Sequence, residues 1–335
     1  MGVNFKDLFE RQAVSFKELK GKVLIVDGHN MLYQFLTTIR GPDGAVFTNS
    51  EGIVTSHMIG LFSRTSKLLL EEIKLVFVFD GTPPEIKHKE IERRVAAKKE
   101  AAVALKKAVE EEDVEGMKKF AGRTAKLTNE MVDQAKELLD ALGVPWVQAP
   151  SEGEAQAAHM VKKGAGWAVA SQDYDSLLYE TPFLLQNLSI TGRRKLPGKY
   201  AYITVNPELI ELKPNLKILG IDSEQLKIIA VLVGTDYNPK GIKGIGPKKA
   251  LALVKKYKTA KAVFKEAGLK EEGWKPIIET FDKMPVTDDY DLVWKNIDKE
   301  KVRKLLIEKL DFSPDRVNNT LDKFNTSQKS LGAFL

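Results

Sequence analysis

Two closely spaced glutamates stand out in the segment PSEGEAQAAH, which covers positions 150–159. Glu152 and Glu154 lie at the start of an alanine-rich run that is typical of a helix. Ser151 and Glu154 fit the S-x-x-E capping box, in which two side chains satisfy backbone donors at a helix start. The local sequence favours this capping interpretation, but the same glutamates could instead bind a cation.

Further acids end or directly follow three short runs of β-branched and aromatic residues, KVLIVD, LVFVFD and GWAVASQD, which are typical of buried parallel strands. These acids are Asp27, Asp80, Asp173 and Asp175. Ligands of open α/β sheets bind outside the carboxyl ends of the strands, so we expect these side chains to converge on one crevice. Any single one could be a turn residue, because Asp-Gly is a common turn dipeptide.

A cluster of carboxylates needs a cation, since like charges raise each other's pKa unless something neutralises them. The chain has no cysteine and only 4 histidines, so the hard ions Mg²⁺ and Mn²⁺ fit best. Glu152, Glu154 and Asp236 could complete a site of seven carboxylates. One octahedral Mg²⁺ needs fewer, so the pattern predicts two ions, spaced about 3.5 to 4 Å apart as in sites that cleave phosphodiesters.

Helical patterns separate the predicted strands. Two of them cover about 53–73 and 130–142. Residues 222–234 also favour a helix, with Ser223 as its N-cap and Gly234 as its stop. This alternation predicts an α/β fold with a mostly parallel, twisted central sheet flanked by helices.

Residues 83–127 form a long polar stretch between a predicted strand and the next helix. The stretch is helix-forming but has no broad apolar face. It could be a solvated surface element or a mobile basic arch that handles an anion, and the pattern leaves both interpretations open.

The segment GIKGIGPKKAL indicates a phosphate-binding turn. Gly244 and Gly246 precede Pro247 at a first helical position, and Lys248 and Lys249 follow it. Backbone N–H groups at a helix start bind phosphate, and lysines add electrostatic attraction. These features together favour a helix-hairpin-helix clamp on nucleic acid over a simple glycine-rich turn.

The composition narrows the functional classes. With 335 residues, a net charge of +6 and no cysteine, we expect an intracellular protein with an anionic partner. Disulfides, thiolate zinc sites and cysteine nucleophiles are excluded. The sequence shows neither a basic leader with an apolar core nor an apolar run of membrane-spanning length, so we expect no membrane partner.

Six blocks of the sequence, in this order, resemble the structure-specific 5′ flap endonucleases of DNA replication and repair, in their archaeal and eukaryotic form. The blocks are VDGHNMLYQFL, EGIVTSHMIGLFSRT, FVFDGTPPEIK, APSEGEAQAA, ASQDYDSLL and GTDYNPKGIKGIGPKKAL. The resemblance covers nearly the whole chain and implies a PIN-like nuclease fold with a helical arch insertion at 83–127. It also implies cleavage at the base of 5′ flaps in branched duplex DNA, with associated 5′-3′ exonuclease activity, in Okazaki fragment maturation and DNA repair.

The resemblance assigns roles to individual side chains. It implies that two Mg²⁺ ions, or Mn²⁺ as a substitute, are held by Asp27, Asp80, Glu152, Glu154, Asp173, Asp175 and Asp236. Lys87 and Arg94, at the foot of the arch, would reach the scissile phosphate, although ordinary helix solvation is the alternative. Tyr33 would stack on a base beside the cut site rather than serve as core packing.

Three further contacts with DNA follow from the same resemblance. Arg40 is similar to a family arginine near the junction, and Gly2, as the amino terminus after loss of Met1, would lie close to the bent DNA. The hairpin would grip the duplex through Gly244, Gly246, Lys248 and Lys249. A K⁺ ion held by backbone carbonyls would accompany the hairpin.

The last residues, QKSLGAFL, are similar to a peptide that binds the sliding clamp (PCNA). Gln328, Leu331 and Phe334 have the required spacing, whereas Leu335 replaces the second aromatic residue, a departure expected to weaken the anchor.

The predicted organisation is a single nuclease domain over 1–322, followed by a flexible tail 323–335. Within the domain we expect an N-terminal region 1–127, an internal region 128–256 that contains the hairpin element 223–256, and a C-terminal helical part 257–322.

We therefore expect a magnesium-dependent flap endonuclease that acts as a monomer on branched DNA, in the cytoplasm with the nucleoid if archaeal and in the nucleus if eukaryotic. A junction-binding clamp accessory without catalytic activity would share the hairpin and the tail, but the complete acid set argues against it. A related exonuclease of the same superfamily is the nearer alternative. If Glu152 and Glu154 face one site, the helix has to begin near Gly153 or Glu154, because positions i and i+2 of a regular helix point about 200° apart.

Overall fold

The computed structural model describes residues 2–188, 192–195 and 202–331. The strands are β1 (Gln12–Ala13), β2 (Val23–Asp27), β3 (Lys74–Phe79), β4 (Trp146–Gln148), β5 (Ala168–Ala170), β6 (Phe183–Gln186), β7 (Gly192–Lys195), β8 (Tyr202–Val205) and β9 (Glu208–Glu211). The helices are α1 (Phe16–Leu19), α2 (Gly28–Thr38), α3 (Ser56–Leu70), α4 (His88–Glu110), α5 (Val114–Arg123), α6 (Asn129–Ala141), α7 (Gly153–Lys162), α8 (Leu212–Leu219), α9 (Ser223–Val233), α10 (Pro247–Tyr257), α11 (Ala260–Glu266), α12 (Glu271–Asp282), α13 (Lys299–Arg303) and α14 (Pro314–Leu331). Short 3₁₀ turns cover Glu85–Lys87 and Asp175–Leu177, and a π-helical turn covers Lys304–Lys309.

Seven strands form one sheet in the order β1-β9-β6-β5-β2-β3-β4. β2 is parallel to β5, with Leu24 opposite Ala168, and β5 is parallel to β6. β9 is antiparallel to both β6 and β1, while β7 and β8 form a separate antiparallel ribbon. All of β5 and nearly all of β2 is buried, as expected for parallel strands covered on both faces. The predicted α/β fold with a mostly parallel sheet is confirmed.

The parallel pairing of β2 and β5 places two predicted acid sites at one edge of the sheet. Asp27 is the last residue of β2. The segment that contains Asp173 and Asp175 follows the end of β5. Because parallel strands run in the same direction, their carboxyl ends meet at the same edge, where ligands of such sheets bind.

The chain divides into two compact units, each assembled from separate segments. The first unit consists of Met1–Asp27, Val78–Arg93 and Gln148–Asp289. The second unit consists of Gly28–Phe77, Arg94–Val147 and Tyr290–Leu335. The seven predicted metal-binding carboxylates and Lys87 all belong to the first unit, whereas Tyr33, Arg40 and Arg94 belong to the second. The predicted division into consecutive regions stays a prediction.

The predicted helices are present with shifted ends. α6 agrees with the predicted 130–142 to within one residue at each end. α3 begins at Ser56, later than the predicted 53–73 pattern, because Thr48 and Val54 pair in an isolated β-bridge just before it. The predicted arch at 83–127 contains the first 3₁₀ turn, α4 and α5.

The N-cap of α9 differs from the prediction. Asp222 Oδ1 accepts a hydrogen bond from the backbone N–H of Gln225 at 2.8 Å, and Gln225 Oε1 accepts one from the backbone N–H of Asp222 at 3.1 Å. The prediction of Ser223 as N-cap was wrong, because this reciprocal capping box requires the cap three residues before Gln225.

The last helix extends beyond the predicted start of the tail. α14 crosses position 323, the predicted start of the tail, and runs to Leu331. Phe334 and Leu335 lie outside the described residues, as do the side chains of Gln328 and Leu331. In the part of the chain that the structure describes, no helix is both long and apolar enough to span a membrane.

Removal of the α9 cap tests the local account of this helix. We expect Asp222→Ala to lower the free energy of unfolding by about 1 kcal/mol, because the N–H of Gln225 loses its acceptor. Urea unfolding of the two proteins measures the difference. Asp222→Ser, which keeps a capping oxygen, should stay close to the parent, and an unchanged midpoint for Asp222→Ala would contradict the assignment.

Candidate active site

The helix that carries both glutamates begins after Glu152. Glu152 is the N-cap of α7, with extended backbone angles (φ −73°, ψ 126°), and Gly153 is the first helical residue. Ser151 Oγ donates to the carbonyl oxygen of Thr82 at 2.8 Å instead of forming a capping box. The capping interpretation of Ser151 and Glu154 is therefore wrong, and α7 starts where a site shared by both glutamates requires.

Asp80 supplies the cap that Ser151 does not. The backbone N–H of Gly153 donates to Asp80 Oδ1 at 2.7 Å. The N–H of Gly81 donates to the carbonyl oxygen of Ser151 at 2.7 Å, and a Cβ on Gly81 would lie only 2.1 Å from the carbonyl oxygen of Ala149. This close backbone approach holds Asp80 against the positive end of α7, where a carboxylate is stabilised.

Asp27 and Asp173 are connected through one serine. Ser171 follows β5, and its buried Oγ donates to Asp27 Oδ2 at 3.1 Å. The same Oγ accepts a hydrogen bond from the backbone N–H of Asp173 at 3.3 Å. The hydroxyl therefore orients the acid at the end of β2 and the loop that follows β5.

Asp175 is held by the beginning of the chain. The backbone N–H of Val3 donates to Asp175 Oδ1 at 2.8 Å. A Cβ on Gly2 would lie 2.1 Å from Asp175 Oδ2, so only glycine fits beside this carboxylate. Burial, followed by the negative charges of Asp173 and Asp236, raises the pKa of Asp175 to about 7.

Asp236 lies in a tight loop after α9. The Oγ1 of Thr235 donates to Asn238 Oδ1 at 2.7 Å and accepts from the backbone N–H of Tyr237 at 3.0 Å. Asn238 Nδ2 donates to the carbonyl oxygen of Val231, within α9, at 2.7 Å. These side-chain bonds fix the loop on both sides of Asp236.

Lys87 reaches into the acidic cluster from the 3₁₀ turn before α4. Its Nζ contacts Glu152 Oε2 directly and lies 3.2 Å from Asp236 Oδ2. Burial disfavours the ammonium, but attraction from Glu152, Glu154 and Asp236 outweighs burial and raises the pKa of Lys87. The lysine therefore stays protonated and offsets part of the negative charge.

Both glutamates have raised pKa values. Burial raises the pKa of Glu152, with Lys87 opposing the rise and Asp80 and Asp236 adding to it. Burial and then Asp175 raise the pKa of Glu154 well above its usual range, and Asp27 contributes to the rise. The structure thus brings together all seven predicted carboxylates, because each one interacts electrostatically with another member of the group.

A divalent cation fits this set of donors. A cation placed among these oxygens would relieve the repulsion that raises their pKa values. Among the described residues, no group of three or more histidine, cysteine, aspartate or glutamate side chains is arranged to hold one metal ion directly. Mg²⁺ suits such an arrangement, since it keeps several waters and takes only one or two carboxylates.

Three aromatic side chains line the acidic pocket together with carboxylates. The residues that line the pocket are Glu152, Glu154, Asp175, Tyr179, Thr235, Asp236, Tyr237 and Phe281. Sequence reasoning missed Tyr179 and Tyr237, although each follows a predicted ligand within four residues, in DSLLY and in DY. Their place in the pocket depends on contacts between distant segments.

The predicted DNA contacts of the second unit are near one another on that unit. The ring of Tyr33 is 38% exposed, and Lys98 Nζ lies 5.4 Å from its centroid. Burial, and then the positive charges of Arg94 and Lys126, lower the pKa of Lys98, so several positive charges surround this site. Arg40 uses Nε and Nη1 to donate to the carbonyl oxygens of Leu36 and Gly44, both at 2.9 Å.

The predicted hairpin has an open helix start. Gly246 is the N-cap of α10 and has no side chain to accept from the first N–H groups, while Pro247 occupies the first helical position as predicted. Lys248 and Lys249 are exposed, and Lys249 Nζ donates to the carbonyl oxygen of Gly244 at 3.4 Å. Such a helix start is suited to a phosphate.

Family models match the two parts of the chain that contain the carboxylates. The XPG N-terminal domain matches residues 1–101, and the XPG I-region matches residues 143–236. Together with the sheet-edge acids, these matches define the class as XPG-type nucleases.

Comparison with individual proteins identifies the family within this class. Flap endonuclease 1 of Staphylothermus marinus is 51% identical over 329 residues, which cover 96% of this chain and 94% of that protein. The solved structure of flap endonuclease-1 from Methanococcus jannaschii superposes with a TM-score of 0.77 at 44% identity and covers 96% of this chain and 97% of that one. The catalytic core of Rad2 in complex with a DNA substrate shares the fold, with a TM-score of 0.71 at 22% identity over 96% of this chain and 99% of that one. The chain belongs to the flap endonuclease 1 family, whose members are metal-dependent nucleases that act on DNA.

The raised pKa of Asp175 predicts how stability changes with pH when metal is removed. A carboxyl with a pKa raised from 3.8 to about 7 binds a proton in the folded protein that the unfolded chain releases. Its contribution to stability is complete below pH 3.8 and is lost as pH rises to about 7. In EDTA, we expect a larger fall in melting temperature between pH 5.5 and 7.5 for the parent than for Asp175→Asn, which stays neutral but keeps an acceptor for Val3. An equal fall in both proteins would contradict this account.

Proposed function

We propose that the acidic cluster holds two Mg²⁺ ions, with Mn²⁺ as a substitute, and that the protein uses them to cut the phosphodiester at the base of a 5′ flap. The proposed ligands are Asp27, Asp80, Glu152, Glu154, Asp173, Asp175 and Asp236. The observation that carries the proposal is that acids from five separate chain segments meet in one partly buried group, where burial, with added repulsion between carboxylates, raises the pKa of Glu152, Glu154 and Asp175. A bound cation would relieve this repulsion.

The chain's own groups prepare the site in two ways. Backbone N–H groups and the Ser171 hydroxyl orient Asp80, Asp175 and Asp27 without neutralising them. Lys87 holds a permanent positive charge between Glu152 and Asp236, where it would offset charge that develops on the scissile phosphate. The bound ions would supply Lewis-acid stabilisation of the reacting phosphate and the leaving oxygen.

Arg94 is proposed as the second cation at the phosphate. Arg94 contributes to the positive potential around Lys98. This local field favours an anion near the base of α4.

DNA binding is proposed to use the hairpin and the exposed Tyr33. The start of α10, with Gly244, Gly246, Lys248 and Lys249, would bind backbone phosphates of the duplex, and a K⁺ ion is proposed at the hairpin carbonyls. Tyr33 would stack on a base beside the cut site, with Arg40 near the junction. Gly2, which lies beside Asp175, would bring the start of the chain close to the same DNA.

The C-terminal peptide is proposed to bind the sliding clamp. Gln328, Leu331 and Phe334 have the spacing of a clamp-binding peptide in which Leu331 and Phe334 are the apolar anchors, and α14 extends to Leu331. The clamp would then hold a monomeric nuclease near newly synthesised DNA.

Loss of one carboxylate should stop cleavage without stopping DNA binding. We expect Asp175→Ala and Asp80→Asn each to lower the cleavage rate of a labelled double-flap duplex at least roughly a hundredfold in Mg²⁺. Asp80→Asn keeps the oxygen that caps Gly153, so its effect reports the lost charge rather than a frayed helix. Fluorescence anisotropy in EDTA should show junction binding close to that of the parent.

A matched acid outside the cluster serves as the control. Asp288 pairs with His159 at 2.7 Å and is exposed to solvent, so Asp288→Asn should cleave at the parental rate. The parent should lose its activity in EDTA. Normal turnover by Asp175→Ala, or cleavage by the parent in EDTA, would contradict the metal assignment.

Two adjacent residues of the clamp peptide can be tested in opposite directions. We expect Phe334→Ala to weaken binding to a purified sliding clamp about tenfold or more, because a buried anchor is removed. Leu335→Phe should strengthen binding, since it restores an aromatic residue. Calorimetry measures both affinities, and cleavage without clamp should not change. If both variants bind the clamp with the parental affinity, the assignment of this peptide as the clamp-binding segment is wrong.

A further inference from the structure

Two tyrosine hydroxyls face each other in the acidic pocket. Tyr179 Oη and Tyr237 Oη lie 3.0 Å apart. Tyr179 closely follows the 3₁₀ turn that begins with Asp175, and Tyr237 directly follows Asp236. Both side chains line the same pocket as the carboxylates. The pair therefore connects the two loops that carry these aspartates.

A third aromatic ring fixes the positions of both hydroxyls. The ring of Phe281, at the end of α12, lies 5.5 Å from the ring of Tyr179 and 5.0 Å from that of Tyr237, with interplanar angles of 55° and 61°. Tilted and edge-to-face contacts of this kind are favourable for aromatic pairs. The backbone of Tyr237 is held by Thr235, so the hydroxyls have little freedom to move apart.

The hydrogen bond between the tyrosines leaves one hydroxyl proton for another acceptor. Each phenol has one proton and can also accept, so a single bond between two hydroxyls uses only one of the two protons. The anionic acceptors that line this pocket are carboxylate oxygens. Glu152 and Glu154 line the same pocket as the two tyrosines. After burial, Glu152 is the next largest cause of the raised pKa of Tyr237, and Glu154 contributes to that of Tyr179.

We propose that Tyr179 and Tyr237 form a positioning pair for the nuclease reaction, in which the remaining hydroxyl proton is donated to Glu152 or Glu154 and holds that glutamate in the orientation that metal binding requires. This inference rests on the proposed function, because it takes the two glutamates as metal ligands. A hydrogen bond to a ligating carboxylate fixes its rotamer, and loss of such a partner typically costs 10- to 100-fold in metal affinity. Neither tyrosine is proposed to touch the substrate.

The test removes the hydroxyls and keeps the rings. Tyr179→Phe, Tyr237→Phe and the double variant are prepared in the full chain, and calorimetry without DNA measures Mg²⁺ affinity. We expect at least one single variant, and the double variant, to bind Mg²⁺ about tenfold more weakly than the parent. The cleavage rate should fall at limiting Mg²⁺ and recover at high Mg²⁺, with KM for the flap substrate unchanged.

A packing variant distinguishes orientation of the glutamate by the hydroxyls from an effect of the aromatic packing alone. Phe281→Leu keeps both hydroxyls but loosens the ring contacts, so we expect a lower melting temperature with Mg²⁺ affinity close to that of the parent. Parental Mg²⁺ affinity in all three tyrosine variants would overturn the proposal, and so would a Phe281→Leu variant that reproduces their whole loss.

A carboxylate variant distinguishes failure of this inference from failure of the proposed function. Asp175→Ala should lose Mg²⁺ binding more severely than any tyrosine variant. If Asp175→Ala binds Mg²⁺ as the parent does, the metal site itself is misassigned. If Asp175→Ala loses Mg²⁺ binding but the tyrosine variants bind Mg²⁺ as the parent does, the metal site is correctly assigned and the tyrosine pair contributes only to packing.

Discussion

Repulsion among carboxylates in a partly buried pocket is the constraint on which the rest of this structure depends. Acids at the end of β2, after β3, at the start of α7, after β5 and after α9 come close together, and burial with added repulsion between them raises the pKa of Asp175, Glu152 and Glu154. The surrounding groups orient the acids, and Lys87 offsets only part of their charge. We expect this arrangement in a site where divalent cations neutralise the remaining negative charge of the carboxylates.

The scaffold meets this constraint with backbone groups. The N–H of Gly153 holds Asp80 at the start of α7, and the N–H of Val3 holds Asp175 near the start of the chain. Backbone donors fix a carboxylate without placing a competing charge beside it, and they belong to segments that the fold already immobilises. Functional side chains on loops can be precise when the ends of rigid elements support them in this way.

Much of this site could be predicted from the sequence, because its first determinant is topological. Acids that follow apolar, β-branched strands of a parallel sheet must meet at one edge, so the sequence alone groups Asp27, Asp80 and Asp175. Local patterns were less informative. The S-x-x-E pattern at Ser151 predicted a capping box, but the serine hydroxyl bonds to Thr82 and the cap comes from Asp80, at a separation of 73 positions. The Tyr179–Tyr237 contact joins residues 58 positions apart, and no local pattern indicates it.

The acidic cluster is proposed to hold two divalent ions. Anomalous scattering from crystals of the full chain grown with Mn²⁺ tests it most directly. The account predicts two Mn²⁺ peaks within the pocket that Glu152, Asp175 and Asp236 line. Peaks only at surface acids or histidines, with none in this pocket, would contradict it.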